Sequence, residues 1–197
     1  FKKLLNHEDI LAFHRKLIEL NNLKEGMIYL QVTRGVADRS FDMPKDEIKP
    51  TVLAFTQEKK IIESEGAKNG IKVMTLDDMR WKRCDIKTTQ LLYASMAKTE
   101  ATEKGFDDAW MIRQGYITEG SSSNTWIIKG KIIMTRHADN LILSGMTRDA
   151  IFKCAKNLGY EVVTKNISLQ DAQSAHEAFI TSATAFITPV VKINTNQ

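Results

Sequence analysis

Lys87 lies in the segment RCDIKTTQLL, with Ile86, Leu91, Leu92 and Tyr93 as apolar neighbours along the chain. Lysines at helix starts are ordinarily solvated, and position alone favours that plain role. Apolar flanks would change it, because a partly desolvated ammonium loses its proton more easily and becomes a nucleophile. A second segment, TEGSSSN over residues 118–124, has the composition of a polar turn. It is not a GxSxG elbow and no histidine is placed to activate a serine, so simple nucleophilic hydrolysis is disfavoured. What remains there is Glu119, a carboxylate in a largely apolar half of the chain that needs a partner. A third segment, LSGMTRD over 143–149, sets Gly145 before Met146 and Thr147 at a helix start. As structure this is an ordinary cap. As chemistry it is an anion seat, since free N–H groups and the helix dipole point at whatever lies before the first turn. ITSAT, residues 180–184, adds backbone donors and the hydroxyls of Ser182 and Thr184.

The elements that must hold these groups follow from periodicity. Ile10, Leu11, Phe13, Leu17, Ile18 and Leu20 recur at helical steps and predict an amphipathic helix over about 7–23. MIYLQVT reads as a strand ended by Gly35, and PTVLAFT after Pro50 as a second. The charged, glycine-punctuated stretch QEKKIIESEGAKNG is linker-like and places a boundary between a small domain, 1–62, and a larger one, 63–197. Beyond it come the strand IKVMTL, a loop through Trp81 and Asp85, and a helix over about 88–104 ended by Gly105. The strands AWMIR, NTWIIK and KIIMT surround a tight turn at Lys129 and Gly130, followed by a helix over 147–158 and a strand over 160–163. A short helix near Ser168 leads to the strands AFITSA and AFITPVVKI. Strands joined by short turns and mixed with helices predict an α+β class with a largely antiparallel or mixed sheet.

Composition narrows the classes. The 197 residues, 43% of them hydrophobic, leave room for two modest cores. The most apolar stretch, 185–193, is broken by Thr188, Pro189 and Lys192, so no membrane span is expected. Charge in FKKLLNHEDI argues against a secretory signal, and the expected compartment is the cytoplasm. The formal charge of +4 is spread among acidic residues, as in TQEKKIIESEGAK, so nucleic acid is not an expected partner. Cys84 and Cys154 have no ligand or disulfide spacing; no metal is expected, and both read as small buried side chains. A start at Phe1 and a stop in NTNQ suggest that part of the native chain is absent.

An amine, a carboxylate and two phosphate cradles are together what pyridoxal 5'-phosphate requires for its aldehyde, its ring nitrogen and its phosphate. RCDIKTTQLL, TEGSSSN, SGMTRD and TSATAFITPV, in that order, resemble the fold-type IV pyridoxal phosphate enzymes, and among them the D-amino acid aminotransferases, over about 27–193. The resemblance implies a two-domain fold whose N-terminal domain is incomplete here. It makes Lys87 the Schiff-base lysine and Glu119 the partner of the pyridine nitrogen, with Leu143 beneath the ring. Met146 and Thr147 would give donors to the phosphate, with Ser122, Ser182 and Ala183 nearby; the family often carries threonine at the Ala183 position. Arg39 would hold the substrate carboxylate, and Phe41 stands where the family has a histidine. The implied activity is ping-pong transamination from a D-amino acid to a 2-oxo acid by a homodimer. Branched-chain L-amino acid aminotransferases and aminodeoxychorismate lyase share the fold and remain alternatives, as does an inactive scaffold.

Overall fold

Asn6 accepts a hydrogen bond from the Asp9 N–H and caps α1, His7–Leu20, whose first turn also carries Glu8 and Asp9 against the helix dipole. The helix stops at a C-cap on Asn21, and Asn22 follows with φ of 47°, a left-handed conformation that asparagine tolerates. Two strands follow, β1 at Gly26–Thr33 and β2 at Thr51–Glu58, paired antiparallel from Gly26↔Glu58 to Thr33↔Thr51. Tyr29 stacks on Phe55 across them, with ring centroids 5.0 Å apart. Gly26 permits the pairing, because a Cβ there would lie 2.2 Å from the Gln57 carbonyl oxygen. The computed structural model describes residues 6–44 and 48–194; the opening FKKLL and the last three residues of NTNQ lie outside it. The chain divides into two units, Phe1–Ile61, containing the elements above, and Ile62–Gln197.

The second unit is built on a nine-stranded mixed sheet. Its elements in chain order are α2 (Glu65–Asn69), β3 (Ile71–Asp77), α3 (Leu92–Glu103), β4 (Asp108–Arg113), β5 (Tyr116–Gly120), β6 (Asn124–Lys129), β7 (Ile132–Thr135), α4 (Met146–Asn157), β8 (Glu161–Thr164), β9 (Ile167–Ser168), α5 (Leu169–Gln173), β10 (Glu177–Ser182) and β11 (Phe186–Ile193). The strand order is β8-β7-β6-β10-β11-β3-β4-β5-β9. β3 lies parallel to both β4 and β11, β7 is parallel to β8, and the other pairs are antiparallel. β5 and β6 are separated in this order by β10, β11, β3 and β4, yet they are joined by residues 121–123 alone, closed by a Gly120 N–H to Ser123 O bond of 2.7 Å. Strands so far apart in pairing can be so close in space only if the sheet curls back on itself. The TEGSSSN turn therefore marks the seam of a curled sheet.

Alternation along β6 decides which face receives what. Ile127 packs with Val73, Trp110, Ile117 and Ile180 in the main core, whereas Trp126 packs with Ile133, Ile151, Ala155 and Phe179 under α4. Met74 and Ala109 receive the small side chains Ala97 and Ala101 of α3. The stripe that α4 buries is Arg148, Ile151 and Ala155, at helical spacing. Cys154 falls off that stripe and is exposed, which corrects its expected burial; Cys84 is buried.

The α+β class and mixed sheet agree with the sequence, but three boundaries that matter for chemistry differ. The helix expected over 88–104 begins only at Leu92, so Lys87 stands in a loop. The helix expected from Thr147 begins at Met146 with Gly145 as its cap. Glu119, in the segment read as a polar turn, lies within β5.

Candidate active site

Glu119 is the centre of the buried polar structure. Its side chain keeps 7% exposure, and it accepts from Arg80 Nη1 at 2.5 Å, from Asn124 Nδ2 at 3.1 Å and from the Leu143 N–H at 3.1 Å. Burial pushes this carboxyl above its ordinary range, and the charge of Arg80 only partly opposes that. The first two acceptor positions on Oε2 are taken by Asn124 and Leu143, leaving Oε1 with one lone pair beyond the Arg80 bond. The carboxylate that needed a partner has one.

Arg80 in turn is held from the other side. Its Nη2 lies 2.9 Å from Asp78 Oδ2 and 3.2 Å from the Leu141 carbonyl oxygen, and its Nε donates to Asp78 Oδ1 at 3.0 Å. Arg113 Nη2 lies 3.2 Å from Asp78 Oδ1. Asp78 is fully buried at the side chain, Arg80 keeps 13% exposure and Arg113 14%. Two arginines thus face two carboxylates, and the buried charges balance. Burial would raise the Asp78 carboxyl, but the hydrogen bond and charge of Arg80 outweigh it and hold Asp78 below the usual range. The Arg80 guanidinium is pushed further up, burial notwithstanding, by Asp78 and Glu119.

Lys87 is exposed and makes no hydrogen bond or ion pair among the described residues. The apolar enclosure expected around it is not present in this chain: Ile86 is 43% exposed, Leu91 56% and Leu92 75%. Those residues precede or open α3, whose buried face is Ala94, Ala97 and Ala101, so they point away from the core. The lysine loop is nonetheless fixed to the loop before α4, by Cys84 N–H to Asn140 O at 2.8 Å and Asn140 Nδ2 to Lys82 O at 2.7 Å. Arg80 to Leu141 O makes a third tie.

The start of α4 has no side-chain cap, so the N–H groups of its first turn are left for another acceptor. Met146 is exposed and Thr147 partly so. Gly145 passes against Asn124: a Cβ there would lie 2.5 Å from Asn124 Oδ1. β10 pairs with β6 through Thr181↔Asn124, which sets Ser182 and Ala183 at the same end of the sheet as Ser122 and Gly145. Ser182 Oγ accepts from the Ala185 N–H at 3.1 Å and keeps its own proton to donate; Ala183 and Ser122 are exposed. Glu119, Leu143, Met146, Thr147, Ser122, Ser182 and Ala183 are therefore gathered at the seam, with the Lys87 loop tied beside it.

Arg39 and Phe41 belong to the other unit, in the connection between β1 and β2. The guanidinium carbon stands 5.4 Å from the Phe41 ring centroid, and Phe41 is 97% exposed. Asp78, Arg80, Arg113 and Asn124 carry no sequence signal that sets them apart: Arg80 sits in the basic run RWKR, and Asn124 ends a serine run. Among the described residues no group of His, Cys, Asp and Glu could hold a metal, and no helix is long and apolar enough to cross a membrane.

The curled mixed sheet, with a buried carboxylate at its seam and an uncapped helix start beside it, matches the scaffold of fold-type IV aminotransferase structures. It is similar to the solved branched-chain amino acid aminotransferase of Escherichia coli, with a TM-score of 0.85 and 26% identity, over 98% of this chain and 66% of that one. The profile of the Amino-transferase class IV family matches residues 4–193, and the chain belongs to that family. D-alanine aminotransferase of Listeria monocytogenes serotype 4b (strain F2365) is 40% identical over 189 residues, 95% of this chain and 65% of the relative. D-alanine aminotransferase of Staphylococcus aureus (strain MSSA476) is 35% identical over 187 residues, 95% and 66% respectively. The chain thus spans just under two thirds of the length of these relatives.

Proposed function

We propose that this chain forms the cofactor-holding part of a pyridoxal 5'-phosphate-dependent aminotransferase that moves an amino group from a D-amino acid to a 2-oxo acid. The observation that carries the reading is Glu119, a buried carboxylate with one acceptor position still open, beside an uncapped helix start, in a chain 40% identical to a D-alanine aminotransferase. The residues fit the cofactor: Lys87 for its aldehyde, Glu119 for its ring N–H, Leu143 for its face, and the α4 start with Ser122, Thr147, Ser182 and Ala183 for its phosphate. Bound there, the cofactor supplies an electron sink for charge developing at the substrate α-carbon.

Each protein group then has a defined task. Lys87 Nζ would hold the cofactor at its aldehyde carbon and, as a free amine, would take the proton from the substrate α-carbon. Glu119, made more basic by burial and paired with Arg80, holds the proton on the ring nitrogen. Thr147 and Met146 present donors to the dianionic phosphate. Arg39, in the small unit, takes the substrate carboxylate by paired hydrogen bonds. In this reading 1–62 is the small domain and 63–197 the cofactor domain of a cytoplasmic homodimer.

The test is half-transamination of the full-length, cofactor-loaded protein with D- and L-amino acids, read as loss of the cofactor's visible absorption. D-alanine and apolar D-amino acids are expected to discharge it. Preference for L-leucine would replace this reading with the branched-chain one.

Two substitutions refine it. Glu119→Gln is expected to retain cofactor while lowering kcat about a hundredfold, because a neutral amide no longer favours the protonated ring. A rate near wild type would remove Glu119 from the mechanism. Arg39→Ala is expected to lower kcat/KM for D-amino acids about 30-fold or more with cofactor affinity unchanged. Phe41→His, which adds a donor and removes bulk, should improve D-alanine relative to D-leucine; unchanged kinetics in both variants would move carboxylate recognition elsewhere.

A further inference from the structure

Asn124 is 6% exposed at the start of β6, and alternation puts its side chain on the same face as Trp126, toward α4. One nitrogen, Nδ2, donates to Glu119 Oε2 at 3.1 Å and to the Leu143 carbonyl oxygen at 2.8 Å. The Leu143 N–H donates to the same Glu119 oxygen at 3.1 Å. Leu143 is therefore gripped at both its N–H and its C=O, by a carboxylate and an amide that grip each other. Two residues further on, Gly145 lies so close to Asn124 Oδ1 that no Cβ would fit. A single buried amide touches the proposed ring-nitrogen partner, the backbone of the ring-supporting residue and the cap of the proposed phosphate helix.

We propose that Asn124 is a positioning residue that locks the Glu119 carboxylate to the 143–145 loop, so that the ring-nitrogen partner and the phosphate seat are set as one unit. The proposal rests on the assignment of Glu119 to the ring nitrogen. Only an amide satisfies all the contacts. Two N–H groups are required, one for a carboxylate and one for a carbonyl, and an aspartate of the same shape offers neither. Aspartate would also set a second negative charge against Glu119. Without Asn124, Oε2 loses one of its two donors and the loop loses its tie to β6, so both ends of the site slacken together.

The experiment uses full-length protein reconstituted with pyridoxal 5'-phosphate, in wild type, Asn124→Ala, Asn124→Asp, Glu119→Gln and the Asn124→Ala/Glu119→Gln double variant. Cofactor affinity and the pH midpoint of its visible band are measured, together with binding of inorganic phosphate to the cofactor-free protein. Asn124→Ala and Asn124→Asp are expected to bind cofactor about 10- to 100-fold more weakly. They should move the pH midpoint by about half a unit or more. Asn124→Ala should move it no further in the Glu119→Gln background, and should also weaken phosphate binding. Asn124→Asp, which keeps the side-chain volume, decides the matter if the alanine variant does not fold. An unmoved midpoint, or an equal shift with and without Glu119, overturns the proposal even where stability falls. A wild-type protein that binds no cofactor overturns the functional reading as well, whereas cofactor binding with unaltered Asn124 variants overturns this proposal alone.

Discussion

Lys87→Ala is expected to abolish transamination, with kcat reduced by at least about 10⁴-fold, the upper end of what one proton-transferring group contributes. In the proposed reading two roles fall on the same Nζ, anchoring the cofactor and then serving as base, so the variant loses both at once. Its exposure, with no partner among the described residues, leaves the amine available, and the ties from Cys84 and Asn140 hold its loop against the loop that precedes α4. Fold is expected to be retained, because Lys87 lies in a surface loop and supports no core contact. The check is borohydride reduction of the cofactor-loaded protein followed by peptide mapping. A pyridoxyl group on Lys87 in wild type, and none in the variant, is the expected outcome. A label on a different lysine would end the assignment.

Asp78→Asn is expected to destabilise the protein by about 3–5 kcal/mol, the range for removing one member of a buried charge network. Two guanidinium groups, Arg80 and Arg113, face this fully buried carboxylate, and the variant would leave Arg80 paired with Glu119 alone and Arg113 with no carboxylate partner among the described residues. The size of the loss should depend on pH in a defined direction. The folded-state proton affinity of Asp78 is lowered, so its contribution is complete above the unfolded-state range of an aspartate and disappears as pH falls through the lower folded-state value. Glu119 is shifted the opposite way and follows the reverse rule, its ionised form disfavouring the folded state above its raised value. Urea midpoints of wild type and Asp78→Asn, compared at neutral and acid pH, provide the measurement. The two curves should converge in acid. A difference below about 1 kcal/mol at neutral pH would mean that the network is not coupled as its geometry implies.

Much of this architecture was legible because periodicity reports burial directly. Alternating apolar strands such as NTWIIK and AFITSA, and the helical stripe of Ile151 and Ala155, declare their faces in the residue order. The candidate site was legible only in part, and for a physical reason. Lys87, Glu119 and Gly145 carry unusual chemistry for their surroundings, so each raises a question on its own. Arg80 and Asn124 do not, since their importance comes from what lies 2.5 to 3.1 Å away, and no spacing rule links Arg80 to Glu119 across 39 positions. The helix expected over about 88–104 starts too early, because the chain remains in a loop until Leu91. That difference matters to function, as it moves Lys87 from a helix end to a segment free to reach a ligand. The expected desolvation of Lys87 failed because apolar neighbours in sequence shield an amine only when they fold over it.

The curled sheet also fixes when the site can come into being. Glu119 and Asn124 are five positions apart, so the pair at the seam can form as soon as that hairpin-like turn is made. The middle of the sheet is another matter, because β3, the first strand of the larger unit, pairs with β11, which is made more than a hundred residues later. Contacts of such high order are slow to close and arrive last. During synthesis the chain would carry its whole set of reactive groups while the walls around them were still open. Competence to hold a ligand therefore arises late, with the emergence of 186–193 from the ribosome, and a nascent chain stalled before that point would expose the edges of β3 and β10 to whatever strand came near.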